Sequence, residues 1–170
     1  MLPSSAPTRP LRGRKKKSPL SNAGEPPDHA LGRSQGGFGT KVHVVCDGQG
    51  QPLGLVLTPG QQHESTVFEA VMTTVETLPQ PAKVAGDKAY RAKRIREWLS
   101  GRGIEAVIPT QKNEPRQENF DRESYRRRNV VERLIGRLKE WRRIATRYEK
   151  LAVNFLAMIH LAMIVYYLGR

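Results

Sequence analysis

The sequence predicts one α/β domain behind a basic, unstructured tail, and three observations point that way. Two β-branched runs, Lys41–Cys46 and Leu53–Thr58, flank the turn cluster Asp47-Gly-Gln-Gly50, which is the pattern of an antiparallel hairpin. A strand, helix, strand order follows across Ala82–Pro109. From Val130 onward, apolar residues recur at helical spacing. Strands alternating with helices are the mark of the α/β class.

Residues 1–36 are rich in Pro, Ser, Gly and Arg and contain the run Arg12-Gly-Arg-Lys-Lys-Lys17. Their few large apolar side chains cannot offset the entropy of ordering, so a disordered basic tail is expected, with the folded domain over residues 37–170. Phosphate contact and simple solvation both fit the basic run. In the first hairpin strand, His43 reads as a half-buried strand histidine. A helix is expected from Gln61 to Leu78, with Thr66 and Glu69 as a capping box and Val67, Phe68, Val71 and Val75 inward. Glu64, at its entry, reads as local capping or backbone support, with a catalytic role for His63 or Glu64 the minor alternative.

Pro79 and Pro81 end that helix, and Ala82-Lys-Val-Ala-Gly-Asp87 is a short strand finishing in an acid. Asp87 fits either a ligand-facing strand end or the N-cap of a helix running from Arg91 to Ser100. Ile95 and Leu99 face inward on that helix, Gly101 and Gly103 close it, and Ile104–Pro109 returns as a parallel strand. Thr110–Arg122 is polar, contains Pro115 and reads as a loop. Leu151–Leu168 is apolar at all positions but Asn154 and His160; a span needs about 20 residues, so a core helix is expected in a chain this basic, and no membrane partner.

The formal charge is +13, from 29 Lys and Arg against 16 Asp and Glu. Such a balance calls for a polyanion, because neutralising phosphates releases condensed counterions; charge alone leaves DNA, RNA and acidic membrane open. Eleven of the cations lie between Arg122 and Lys150, against four acids, which makes a stripe. The single cysteine, Cys46, excludes an internal disulfide and a Cys-rich zinc site and fits the reducing cytoplasm. No secretory signal and no internal repeat are visible.

Within the stripe, Tyr125, Arg128, Glu132 and Lys139 are spaced by three, four and seven, which places all four on one face of a helix. Val130, Val131, Leu134, Ile135 and Leu138 supply a second, apolar face. A bland reading of the same residues is a solvated helix with Arg128 and Glu132 as an ordinary i, i+4 pair.

The spacing Y-x2-R-x3-E-x6-K resembles the signature of DDE transposases of bacterial insertion sequences, chiefly insertion-sequence families four and five. Arg-Asn-Val-Val-Glu-Arg133 and Arg143-Ile-Ala-Thr-Arg-Tyr-Glu-Lys150 resemble the same carboxyl-terminal region, and Gly86-Asp-Lys-Ala-Tyr90 resembles the word that carries the second acid. The resemblance implies an RNase H-like fold in which Asp87 and Glu132 are catalytic, metal-binding acids. It further implies that Tyr125, Arg128 and Lys139, with Arg133, Arg142 and Arg143, contact DNA. In such enzymes three carboxylates hold two Mg²⁺ or Mn²⁺ ions about 4 Å apart for hydrolysis at the element's end and strand transfer to target DNA.

One departure bears on activity. The segment Gly32-Arg-Ser-Gln-Gly-Gly37 resembles the one that follows the family's first aspartate, but no strand with an Asp-Ser or Asp-Thr word precedes it. Asp28 and Asp47 are poorly placed to substitute, and two acids facing two divalent ions leave the charge unbalanced. The expectation is therefore the carboxyl-terminal part of a DDE transposase, its RNase H-like core lacking the first strand, inactive alone. Its expected partners are transposon-end and target DNA, and an amino-terminal part of the enzyme or an intact copy, with oligomers open and a nucleoid location. The alternative is a non-catalytic DNA-binding remnant or regulator.

Overall fold

Gly50 ends the hairpin turn with φ +84°, a left-handed conformation that glycine adopts at little cost, and so lets the chain reverse against Val130, on a helix far downstream. In the computed structural model, which describes residues 24–111 and 119–169, the hairpin consists of β2 (Gly37–Cys46) and β3 (Pro52–Pro59). The short β1 (Gly32–Ser34) pairs antiparallel with the start of β2. β2 and β3 pair from Thr40↔Pro59 to Val45↔Gly54, and the register then shifts so that Cys46 faces Pro52. This register puts Val42, Val44, Leu55 and Leu57 on one face and Lys41, His43, Val56 and Thr58 on the other.

Each face is covered by helices. Leu55 joins Leu134 and Leu138 of α4 (Asn129–Glu140) and Phe155, Ile159, Ala162 and Met163 of α6 (Ala152–Leu168) in one buried cluster, with Val42, Val44 and Cys46 at its edge. A second cluster joins Phe68 and Met72 of α1 (Glu64–Thr73), Ile95 and Leu99 of α2 (Lys93–Ser100), and Ile104 and Ile108. Phe68 packs edge-on to Trp98 at 5.6 Å, which holds α1 against α2.

The second cluster supports a separate sheet. β4 (Lys83–Ala85) and β5 (Glu105–Val107) are parallel, with Lys83↔Glu105 and Ala85↔Val107, and α2 lies in the crossover between them. Among the described residues no ladder joins this pair to the hairpin. Among the described residues, β2 pairs over Thr40–Cys46 only with β3, and β4 only with β5, so no described strand lies along the other edge of either.

Several expectations need correction. Residues 24–36, expected to belong to the tail, are tied to the domain: Glu25 accepts from the Ala152 and Val153 N–H groups, Thr40 Oγ1 donates to the Ala30 carbonyl at 2.7 Å, and Arg147 donates to Thr40 Oγ1 at 2.5 Å. Residues 1–23, with the Arg12–Lys17 run, lie outside the described residues. α1 is capped by His63, whose Nδ1 accepts from Ser65 N, and no Thr66–Glu69 box forms; Thr66 Oγ1 donates instead to the His63 carbonyl at 2.7 Å. The crossover helix starts at Lys93, since Asp87 opens a 3₁₀ turn over Lys88–Tyr90 first. The expected loop from Thr110 to Arg122 falls largely on residues 112–118, outside the described residues.

α6 packs into the core as expected, through a stripe at Ala152, Phe155, Ile159, Ala162 and Met163, while Leu161, Ile164, Val165 and Leu168 stay exposed. No helix among the described residues is long and apolar enough to cross a membrane.

Candidate nucleic-acid interface

The tetrad lies on two helices instead of one. α3 (Arg122–Arg127) and α4 meet at Arg128, whose φ −50° and ψ −24° remain right-handed. The junction is wound tighter than an α-helix: Arg128 N donates to Tyr125 O and Val131 N to Arg128 O, both steps of three. The bend is slight enough to keep three members of the tetrad in contact. Arg128 Nη2 donates to Glu132 Oε1 at 2.8 Å, and the guanidinium sits 5.4 Å from the Tyr125 ring centroid. Arg128 Nε is buried, with no acceptor among the described residues.

Both ends of this helix pair are anchored. Asp121 caps α3 by accepting from Ser124 N at 2.9 Å and also accepts from Lys83 Nζ of β4 at 2.8 Å. Those Lys83 and Ser124 hydrogen bonds hold the Asp121 carboxyl well below the ordinary carboxylate range. At the other end Leu134 and Leu138 pin α4 to the hairpin, and the Gly50 turn abuts Val130. The pair thus spans both sheets. On α4, Glu132, Arg133, Arg137 and Lys139 are all exposed.

Beyond α4 the chain turns at Trp141 into the short α5 (Arg142–Ala145). Arg142 donates to Tyr148 OH at 3.2 Å, and Arg143 pairs with Glu149 at 3.1 Å, both from exposed positions. Tyr125, Arg128 and Glu132 are therefore brought together, Lys139 and Arg133 share their helix pair, and Arg142 and Arg143 follow on the next element.

Asp87 stands apart. It follows β4 and spends Oδ1 on the Ala89 N–H at 2.9 Å, so its local role is a cap. Neighbouring Tyr90 is pushed up to about 12, by burial first and then by the charges of Asp87 and Glu64, and stays neutral. Glu64 is held ionised by a 2.7 Å bond from Lys41 Nζ. Burial and Asp47 push the Cys46 thiol up to about 11, which removes it as a thiolate ligand or nucleophile at neutral pH. Among the described residues no group of three or more His, Cys, Asp or Glu side chains is arranged to hold a metal ion. Asp87 and Glu132, each with a local partner, do not by themselves fit a two-ion centre.

The anchoring residues escaped the sequence reading. Asp121 fell in an expected loop, although Asp121-Arg-Glu-Ser124 has the form of a helix entry and could have been read as one. Nothing in the sequence announces that Lys83 would reach it.

The profile of the Transposase DDE domain family matches residues 10–168, nearly the whole chain. The chain belongs to that family. One relative, a transposase for insertion sequence element IS6501 of Brucella ovis, is 30% identical over 128 residues, covering 72% of this chain and 93% of its own length. A transposase for insertion sequence element IS402 of Burkholderia cepacia is 31% identical over 122 residues, or 67% of this chain; that stretch is 56% of the relative, so the chain spans about half of it. No solved structure matches the chain. DDE transposase domains generally use divalent metal ions, and the mixed α/β architecture seen here is consistent with such a domain.

Proposed function

We propose that this chain acts in DNA transposition as the carboxyl-terminal part of a DDE transposase catalytic domain: it binds DNA through the α3–α5 face and is catalytically incomplete alone. The observation that carries the reading is the Tyr125–Arg128–Glu132 contact chain, held on an anchored helix pair that also exposes Arg133 and Lys139, with Arg142 and Arg143 following on α5. Fixed cations on a rigid element suit phosphate recognition, since little side-chain entropy remains to be lost on binding.

The incompleteness follows from the donor set. Asp87 and Glu132 are two carboxylates, and binding Mg²⁺ or Mn²⁺ for strand cleavage would need a third acid close to both. The open edges of β2 and β4 support an RNase H-like core that lacks a strand between them, the strand on which the resemblance places the first aspartate. An amino-terminal segment of the transposase or an intact copy would supply it. In this reading the chain's own residues bind and orient DNA, and Arg128 holds the Glu132 carboxylate in place through their 2.8 Å bond. Such a protein would reside with the nucleoid.

The test is a pair of assays on the full chain. DNA binding that weakens steeply with salt, without Mg²⁺-dependent nicking of insertion-sequence ends, is expected. Nicking by the chain alone, abolished by Asp87→Ala or Glu132→Gln, would overturn the claim of incompleteness. Absence of DNA binding at low salt would overturn the function itself.

A further inference from the structure

α4 contains a glycine that the fold does not need. Gly136 sits in the interior of a regular twelve-residue helix, where glycine is less favourable than alanine because it gives up more backbone freedom on folding. Its role is not conformational, since its φ is not positive and the helix runs through it unbroken. Internal packing does not demand it either, because a Cβ built there meets no atom within 4 Å.

Its position is informative. Leu134 and Leu138 mark the buried side of α4, and Gly136 falls almost opposite them at the crest of the exposed side. It lies one turn after Glu132 and Arg133 and one turn before Lys139 and Glu140, all of them exposed. The row is thus interrupted by a bare stretch of helix backbone, flanked by a cation on each side.

We infer that Gly136 is a close-approach point for the DNA backbone. A sugar–phosphate segment settles against the bare helix there, which brings its phosphates within reach of Arg133 on one side and Lys139 on the other. Any side chain at 136 would hold the duplex off the helix and lengthen both contacts. This inference rests on the DNA-binding reading above and adds the residue that sets the distance of approach.

The test uses the full chain, a mixed-sequence duplex of about 30 base pairs, a span long enough to cover one module of this size, and the variants Gly136→Ala, Gly136→Leu and Arg142→Ala. Gly136→Ala should raise the melting temperature by about 3 °C and still weaken DNA binding. Gly136→Leu should weaken it by about tenfold, because a rigid docked helix cannot move aside. Melting curves show whether each variant is folded. If both Gly136 variants melt at or above the wild type and bind DNA as it does, while Arg142→Ala binds more weakly, the inference is overturned and the DNA-binding reading stands. If Gly136→Leu changes sedimentation of the protein but not its affinity for DNA, the crest meets another protein surface and the inference is also overturned. If the wild type fails to bind the duplex, both fall.

Discussion

Glu25 caps a helix that begins 127 residues later: its Oε1 accepts from Ala152 N at 2.9 Å, and its Oε2 accepts from Val153 N at the same distance. α6 has no side-chain cap of its own at Leu151, so a carboxylate from the other end of the chain satisfies its first N–H groups and complements its dipole. His29 adds a 2.6 Å contact to the same carboxylate. Glu25→Ala should therefore cost about 2 kcal/mol, read as a lower urea midpoint at unchanged m-value.

The same cap has a pH signature. Burial acts to raise the Glu25 pKa, but the Val153 and Ala152 N–H bonds and His29 together outweigh it and bring it below 4.5. A carboxylate depressed in the folded state contributes stability that is fully present above its unfolded value and lost as pH falls through its folded value. Wild-type stability should fall below about pH 4.5 more steeply than that of Glu25→Gln, which cannot titrate. Equal slopes in urea titrations between pH 5 and 3, a range spanning about the ordinary carboxylate pKa, would remove this account of the cap.

Gly60 marks a junction of three backbone segments. A Cβ there would stand 2.8 Å from the Gly32 carbonyl oxygen and 3.1 Å from that of Gly39, and main chain cannot swing away as a side chain can. Gly60 N also donates to the Gly39 carbonyl at 3.0 Å. Gly60→Ala should destabilise by about 1–3 kcal/mol, visible as a lower melting temperature. Gly136→Ala, with open space around it, is expected to move the opposite way.

Local order was readable where neighbouring residues set it. The hairpin followed from β-branched runs around Asp47–Gly50, and the parallel pair from short apolar runs separated by a helical pattern ending in glycines. The core positions Ile95, Leu99, Leu134 and Leu138 followed from helical spacing. What escaped depends on long-range partners. Glu25 carries no sign in the sequence that it belongs to α6, so its segment reads as tail. His63 displaced Thr66 as cap through a geometry of a single turn. Lys83 and Asp121 meet 38 residues apart, and that bond positions α3. The tetrad's spacing was legible, but its break at Arg128 was not, since nothing in Tyr-Arg-Arg-Arg-Asn-Val stops a helix.

His43 is a second source of acid sensitivity. It is buried on β2 and bonded through Nε2 to Thr58 Oγ1 at 2.7 Å. Burial lowers its pKa below 6.5 and nearby Lys41 adds to this, while Glu64 pulls the other way. A histidine that is neutral when folded and protonated when unfolded contributes stability present above 6.5 and lost as pH falls through its folded value. Stability should begin to drop as pH passes below about 6.5, before the carboxylates titrate, and His43→Gln should remove that early part of the decline. Unfolding free energies measured from pH 7.5 to about 5 decide the matter, because the carboxylates remain ionised over most of that range.

The basic face makes the sharpest prediction, because charge and geometry act separately there. Each phosphate neutralised by a fixed cation should contribute about 0.9 to the slope of log affinity against log salt. Arg142→Ala and Arg143→Ala together should therefore flatten that slope by about 1.8 if both reach phosphate; Arg143→Ala also takes the ion-pair partner from the nearly buried Glu149 carboxylate, so a melting curve of the double variant accompanies the salt titration. Leu138→Ala works through the fold instead: it opens the cluster that seats α4, costs about 2–5 kcal/mol, and weakens DNA binding by displacing the whole row. Glu132→Gln separates the two effects. It removes one negative charge from the face and leaves Arg128 with at most a neutral acceptor in place of its ion pair, so non-specific DNA binding should tighten without any loss of melting temperature. Weaker binding in Glu132→Gln would mean that the carboxylate positions Arg128 for its phosphate more than it repels the DNA. A flat salt response in the wild type would mean that the stripe from Arg122 to Lys150 is only a solvated surface.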